Sequence, residues 1–201
     1  MPLPYVSPMT PDDLDELMPI ERHCFQDPWS RRMYLIDLTQ NDLSTYLVLR
    51  PTLGLRPVEA GARDAATVPP ILAYGGFWLM AGEAHIATLA SHPGWRGCGL
   101  GLWLLLALLD AAAARGAMTS TLEVRVSNVA ARKLYEKLGY EMTGMRVRYY
   151  RDGEDGLILT TPELQSPPVQ ERLAAARVDA LTRLQCCFGS EANTAAGGQH
   201  L

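Results

Sequence analysis

Apolar and polar positions follow two different periods along this chain, and the changes of period mark out its elements. EAHIATLAS (83–91) and TSTLEVRVS (119–127) alternate with period two, the pattern of strands with one buried face. TYLVLR (45–50) and ILAYGGFWLM (71–80) are short apolar runs that predict buried strands. The paired glycines of the second suggest a bulge or a close backbone approach. Between the two alternating segments, the run from Leu100 to Ala114 is apolar on nearly every side. It contains Asp110 and falls short of the roughly 20 residues that a membrane span needs, so it predicts a buried helix.

Capping signals place the other helices. Thr10-Pro11-Asp12-Asp13 supplies a capping hydroxyl, a proline at the first helical position and acids in the first turn, which predicts a helix to about Phe25. Ser30 caps a second, with Met33, Leu35, Ile36 and Leu38 as its apolar positions. Asn128 caps a third, with Val129, Leu134 and Leu138 inward and Gly139 ending it. GYEMTGMRVRYY and DGLILT predict a closing antiparallel pair joined around Arg151-Asp152-Gly153, and residues 53–70, rich in Gly, Pro and Ala, predict a long flexible loop. After Thr161 the character changes: SPPVQERLAAARVDALTRLQ predicts a helix behind a proline linker, and SEANTAAGGQHL has the composition of a frayed tail. The order predicts an α/β fold in which residues 1–161 form the main domain and 162–201 a proline-linked helix with a flexible tail.

Composition narrows the function. The 201 residues are 48% hydrophobic, enough for one sizeable core, and 18 basic against 22 acidic side chains leave a net charge of −4, which argues against direct nucleic-acid binding. Cys24, Cys98, Cys186 and Cys187 form neither a disulfide framework nor a metal-ligand pattern, and His85 and His92 have no metal-ligand companions, so no metal is expected. The start of the chain lacks a basic and then apolar secretory pattern, so a cytoplasmic protein without a membrane segment is expected.

RGCGLGL (96–102) stands between a predicted strand and the buried helix, where unpaired amides and the positive end of a helix dipole make an anion site; a plain tight turn is the alternative. It is not a Walker loop, since Leu100-Gly101-Leu102 stands where Gly-Lys-Ser or Gly-Lys-Thr is required. Its GxGxG spacing, halfway along the chain, also misses the dinucleotide fingerprint. The stretch does resemble the Q/R-x-x-G-x-G/A signature of the GNAT acetyltransferases. IERHCFQDPWS (20–30), LEVRVSNVAARKLYEKLGY (122–140) and MRVRYYRDGEDGLILT (145–160) resemble, in the same order, blocks of the RimI branch, the ribosomal-protein N-terminal alanine acetyltransferases. The resemblance spans roughly residues 5 to 161, and the 122–140 block is its more specific half.

That resemblance implies the acyl-CoA N-acyltransferase fold, a mixed central sheet of about seven strands flanked by helices, here with a C-terminal helical extension. It implies acetyl-CoA as donor cosubstrate, held by Leu89, Ala90 and Ser91 at a strand end, by Gly97, Cys98, Gly99, Leu100, Gly101 and Leu102 in the turn, and by Asn128. Ser91 stands where relatives usually carry valine, which matters little for a backbone contact. By the resemblance Glu123 is the general base and Tyr135 the general acid that protonates the departing thiolate. From the residues alone, Glu123 could equally be a solvent-face glutamate and Tyr135 a packing aromatic, and Arg96 either a phosphate contact or an exposed turn residue. Phe25, Trp29, Tyr149 and Tyr150 would wall a tunnel for a peptide end, or be ordinary core and edge residues. The implied partner is a protein N-terminus, that of a ribosomal protein. The alternatives are a GNAT acting on other N-termini, lysine or a small amine, and a non-catalytic acyl-CoA-binding module.

Overall fold

The structure, a computed structural model, describes residues 3–57 and 68–189. Its elements are β1 (Tyr5–Pro8), α1 (Leu14–Cys24), α2 (Arg31–Gln40), β2 (Ser44–Arg50), β3 (Arg56–Pro57), β4 (Ala73–Met80), β5 (Glu83–Ser91), α3 (Leu100–Ala114), β6 (Thr119–Arg125), α4 (Val129–Lys137), β7 (Glu141–Arg146), β8 (Gly156–Thr160), α5 (Pro167–Cys187) and β9 (Phe188–Gly189). Seven strands make one mixed sheet in the order β1-β2-β4-β5-β6-β8-β7, parallel only between β5 and β6. The expected sheet and C-terminal helix are therefore the architecture observed. The frayed tail, 190–201, and most of the long loop, 58–67, lie outside the described residues.

Helices cover both faces of the sheet. On one, Leu14, Leu17, Met18 and Ile20 of α1 pack with Tyr34, Tyr46, Val48 and Tyr74. On the other, the buried leucines of α3 join Leu72, Phe77, Ile86, Leu122 and Val124 from the strands, and Leu173, Ala176, Ala180 and Leu184 from α5. Because α3 carries apolar side chains all round, the sheet alone cannot bury it; α5 lies against its outer side. An Arg177–Asp110 ion pair joins the two helices at their rim, which explains the acid inside the apolar run. The end of α5 is fastened twice: Phe188 stacks on Trp95 with ring centroids 5.0 Å apart, and β9 pairs with β3 in a second, two-stranded sheet.

Three local expectations are corrected. In α2 only Tyr34 is buried, while Met33, Leu35 and Ile36 are exposed. The helix is fastened to the core by Tyr34, which donates its hydroxyl to Glu21, by Asp37, which accepts from the Tyr46 hydroxyl and the Trp78 indole, and by the half-buried Leu38. Val129 is exposed too, and α4 instead buries Tyr135 and, just after its end, Leu138. The irregularity expected at the paired glycines of β4 does occur there in register, but the extra residue belongs to β5: pairing runs Gly76 with Thr88 and then Phe77 with Ile86, leaving Ala87 over.

Among the described residues no helix is long and apolar enough to cross a membrane. Phe188 is fully buried and closes the seam between α5 and the turn before α3. Phe188→Ala is expected to cost about 3–5 kcal/mol, the range for emptying an aromatic site in a packed core, and to lower the urea midpoint at unchanged m-value. A midpoint within experimental error of wild type contradicts this packing.

Candidate active site

The site begins with a missing ladder. β5 and β6 pair only from Glu83, Ala84 and His85 to Thr119, Ser120 and Thr121. Past that point β5 continues to Ser91 and β6 to Arg125, with β6 paired on its far side to β8. Ala87 lies just beyond the last shared pair, and a bulge bends and twists the strand that carries it. β5 consequently turns away from β6, leaving the backbone edge around Leu89, Ala90 and Ser91 unpaired on that side. The opposing glycines make room for the bend: a Cβ on Gly76 would lie 2.2 Å from the Tyr46 ring, and one on Gly75 2.9 Å from the Thr88 carbonyl oxygen.

A cleft of about 760 Å³ opens where the strands part. It brings together Leu89, Ala90, Ser91, Gly97, Gly99, Leu100, Gly101, Leu102, Asn128 and Tyr135, ten residues expected from sequence, and adds Arg96 and Phe25 to its wall. Gly97 and Gly99 take φ of 85° and 82°, a region that glycine enters without strain, and Gly99 is the N-cap of α3. The first helical bond in the turn runs from the Trp103 amide to the Gly99 carbonyl at 2.9 Å, so the amides of Leu100, Gly101 and Leu102 have no acceptor within the helix. Donors at the positive end of a helix fit a phosphate. Cys98 differs from its neighbours: the whole residue is buried and does not line the cleft, so the structure does not bring it together with the other expected turn residues. The side chain of Asn128 accepts from the Ala131 amide at 3.1 Å, the capping role expected of it. Tyr135, nearly buried, packs beside Tyr140, and burial raises its phenol well above the ordinary value, so it stays protonated.

Glu123 is not part of the cleft lining. It lies two residues beyond Thr121, the last member of the β5–β6 ladder, on the sheet face opposite Leu122 and Val124. His85 Nε2 is 3.0 Å from its Oε2 and Arg146 Nε 2.9 Å from its Oε1. The hydrogen bond from His85 is the chief cause that holds the Glu123 carboxyl below the usual range; burial opposes it, and the charges of His85 and Arg146 reinforce it. His85 in turn stacks on Trp78, and Trp78 on Trp29, with centroids 6.0 and 5.8 Å apart. An aromatic ladder therefore runs from the loop between α1 and α2 to the carboxylate.

That loop is pinned from below. Glu21, buried, accepts from the Trp29 amide at 2.7 Å and from the hydroxyls of Tyr34 and Tyr74. Burial raises both phenols, which therefore remain donors. Across from it, Tyr149 and Tyr150 stand in the turn between β7 and β8, with Arg146 over one ring and Arg125 over the other. Glu154 fixes this turn by accepting from the Ser127 amide at 2.7 Å and Arg125 at 2.8 Å, and the amide hydrogen bond is the first cause that lowers its carboxyl to about 2. Arg151 reaches Asp27 at 3.2 Å, joining the two loops that carry the four expected aromatics.

His85, Arg146 and the cleft-lining Asp179 and Arg183 were not anticipated. For His85 a signal existed: in an alternating strand its parity opposes that of Ala84 and Ile86, whose side chains enter the core. For the α5 pair no local signal exists, since their place depends on how a distant helix packs.

The model of the Acetyltransferase (GNAT) family matches residues 14–140. The chain is 31% identical over 160 residues to the ribosomal protein bS18-alanine N-acetyltransferase of Salmonella typhimurium, an alignment covering 78% of this chain and 96% of the relative. It is similar to the crystal structure of the ribosomal-protein-S18-alanine N-acetyltransferase from Escherichia coli, with 29% identity, a TM-score of 0.64 and coverage of 80% and 94% of the two chains. The NatC complex bound to Gag peptide and CoA resembles it in fold, at 19% identity and a TM-score of 0.65 over 80% of this chain and 98% of that one.

The His85–Glu123 contact predicts a titration. His85→Ala removes the largest cause that depresses the carboxyl, so the Glu123 midpoint, followed by ¹³C NMR, is expected to rise toward the ordinary carboxylate value. A depressed carboxyl contributes stability at pH above its unfolded value and loses it as pH falls through the folded one, so the variant's acid-induced loss of stability at this site is expected to shrink. An unmoved midpoint contradicts the contact.

Proposed function

The chain belongs to the GNAT acetyltransferase family and is an acetyltransferase, and we propose that its acceptor is the α-amine of a protein N-terminus, the N-terminal alanine of a small-subunit ribosomal protein. The observation that carries the reading is the opening between β5 and β6, with a coenzyme-sized cleft and Tyr135 on one side and Glu123 just past the last paired residue on the other. The two bacterial S18-alanine acetyltransferases that are 29–31% identical to it over the aligned residues support the choice of acceptor.

Acetyl-CoA, when bound, supplies the acetyl group as a thioester. The unpaired edge at Leu89–Ser91 offers backbone N–H and C=O groups to an extended pantetheine arm as a further strand would. The turn offers the amides of Leu100, Gly101 and Leu102 to the pyrophosphate, Cys98 being buried outside the cleft, and Asn128 adds a polar contact beside its capping bond. Tyr135 keeps its phenolic proton because of burial and donates it to the departing sulfur.

Glu123 is ionised at neutral pH. A carboxylate held below the usual range is a weak base toward an α-ammonium of pKa about 7.7–8.0, so its work is to attract that ammonium and to orient His85 or a water that takes the proton. The aromatics Phe25, Trp29, Tyr149 and Tyr150 lie on the two linked loops and suit an extended peptide end.

A panel of peptides differing in first residue and lysine content, incubated with acetyl-CoA and mapped by mass spectrometry, tests the acceptor. Acetylation confined to the α-amine, with N-terminal alanine preferred, is expected. Lysine-only modification, or acetyl-CoA binding without turnover, overturns the reading in favour of a side-chain acetyltransferase or a binding module. Glu123→Gln and Tyr135→Phe are each expected to slow turnover by about 10²–10⁴-fold, and near-normal rates remove those roles.

A further inference from the structure

Helix α5 lies wholly beyond residue 140, where the family match ends, yet it forms a wall of the cleft. Its contact with the glycine turn is direct: a Cβ on Gly99 would lie 3.0 Å from Arg183 Cβ and 3.3 Å from the Ala180 carbonyl oxygen. Ala176, Ala180 and Leu184 anchor the inward face in the core, and one turn apart on the cleft side stand Asp179 and Arg183.

Charge in this cleft is one-sided. Among the described residues its lining holds four cations, Arg96, Lys133, Lys137 and Arg183, and a single carboxylate, Asp179. That carboxylate gathers two of the cations: Lys137 Nζ bonds its Oδ2, and Arg183 Nε reaches the same oxygen at 2.9 Å. One carboxylate oxygen thus holds a lysine of α4 and an arginine of α5 together at the lip of a turn whose free amides already favour an anion. All three side chains keep partial exposure, so a stronger anion can reach the cations.

We propose that α5 is part of the coenzyme site, with Arg183 and Lys137 binding phosphate of acetyl-CoA and Asp179 holding the pair in place while competing with that phosphate for them. The inference rests on reading the cleft as the coenzyme's. It assigns the C-terminal extension a binding role and names phosphate as the group recognised, from either the pyrophosphate or the 3′-phosphomonoester.

Equilibrium binding of acetyl-CoA and of its 3′-dephospho analogue to the full chain tests it. Arg183→Gln is expected to weaken acetyl-CoA binding by about tenfold, as for loss of one charge-assisted hydrogen bond. Arg183→Lys should restore part of the loss. Asp179→Asn is expected to tighten binding severalfold, a direction that damage to the scaffold does not produce. If the Arg183→Gln effect vanishes with the dephospho analogue, the contact is to the 3′-phosphate; if it persists, to the pyrophosphate. Unchanged affinity in both variants, or weakening in both, overturns the α5 contact while leaving the coenzyme site intact. A wild-type chain that does not bind acetyl-CoA overturns the coenzyme reading beneath it.

Discussion

One surplus residue, Ala87, sets the geometry on which the site depends. Up to His85, β5 is an ordinary member of the sheet, hydrogen-bonded on both sides. Past the bulge its backbone keeps its antiparallel partner and loses its parallel one, so polar groups that a closed sheet would consume are left at an opening. The parity of the strand also flips there: Ala84 and Ile86 enter the core against α3, whereas Ala90 enters the one beneath α1. Any side chain at Gly76 would strike Tyr46, which is why the neighbouring strand is bare at that step.

The second organising fact is the apolarity of α3. Fifteen residues with leucines on every side need cover all round, and the sheet supplies half of it. The other half comes from α5, and a helix laid over α3 from that side must pass its N-terminus, where Gly99 leaves room for Arg183. Core burial and cleft construction are thus one packing event: the face of α5 that buries Leu173, Ala176 and Ala180 determines where Asp179 and Arg183 emerge.

Much of this was legible in the sequence because its signals are local. Alternation located β5 and β6, Ser30 and Asn128 cap their helices as expected, and the glycines of RGCGLGL mark the turn that lines the cleft. The Thr10 hydroxyl instead donates to the Asp13 carboxylate at 3.1 Å, and the first α-helix starts only at Leu14. What escaped was relational. The glycine pair announced an irregularity, but which strand carried the extra residue depended on registering two strands against each other. Of the apolar positions named in α2, Met33, Leu35 and Ile36 are exposed, because hydrophobicity alone does not reveal that Tyr34 and Asp37, through polar contacts with the core, set which face turns inward. His85 has no metal-ligand companion nearby in sequence, and its partner is a glutamate 38 positions on in a parallel strand. The candidate catalytic residues were named through resemblance; their surroundings, an ion-paired carboxylate and a buried phenol, became visible only in three dimensions.

The stacking of Phe188 on Trp95 also has a bearing on when the cleft comes into being. A chain emerges from its N-terminus, and domains complete themselves in that order during synthesis. Residues 5 to 160 include every strand of the large sheet, yet α3 keeps an uncovered flank and the glycine turn lacks one of its walls until Phe188 has been made and has found Trp95. The cleft is thereby finished from the far end of the molecule, so a nascent chain that already holds Glu123 and Tyr135 still has an unfinished cleft.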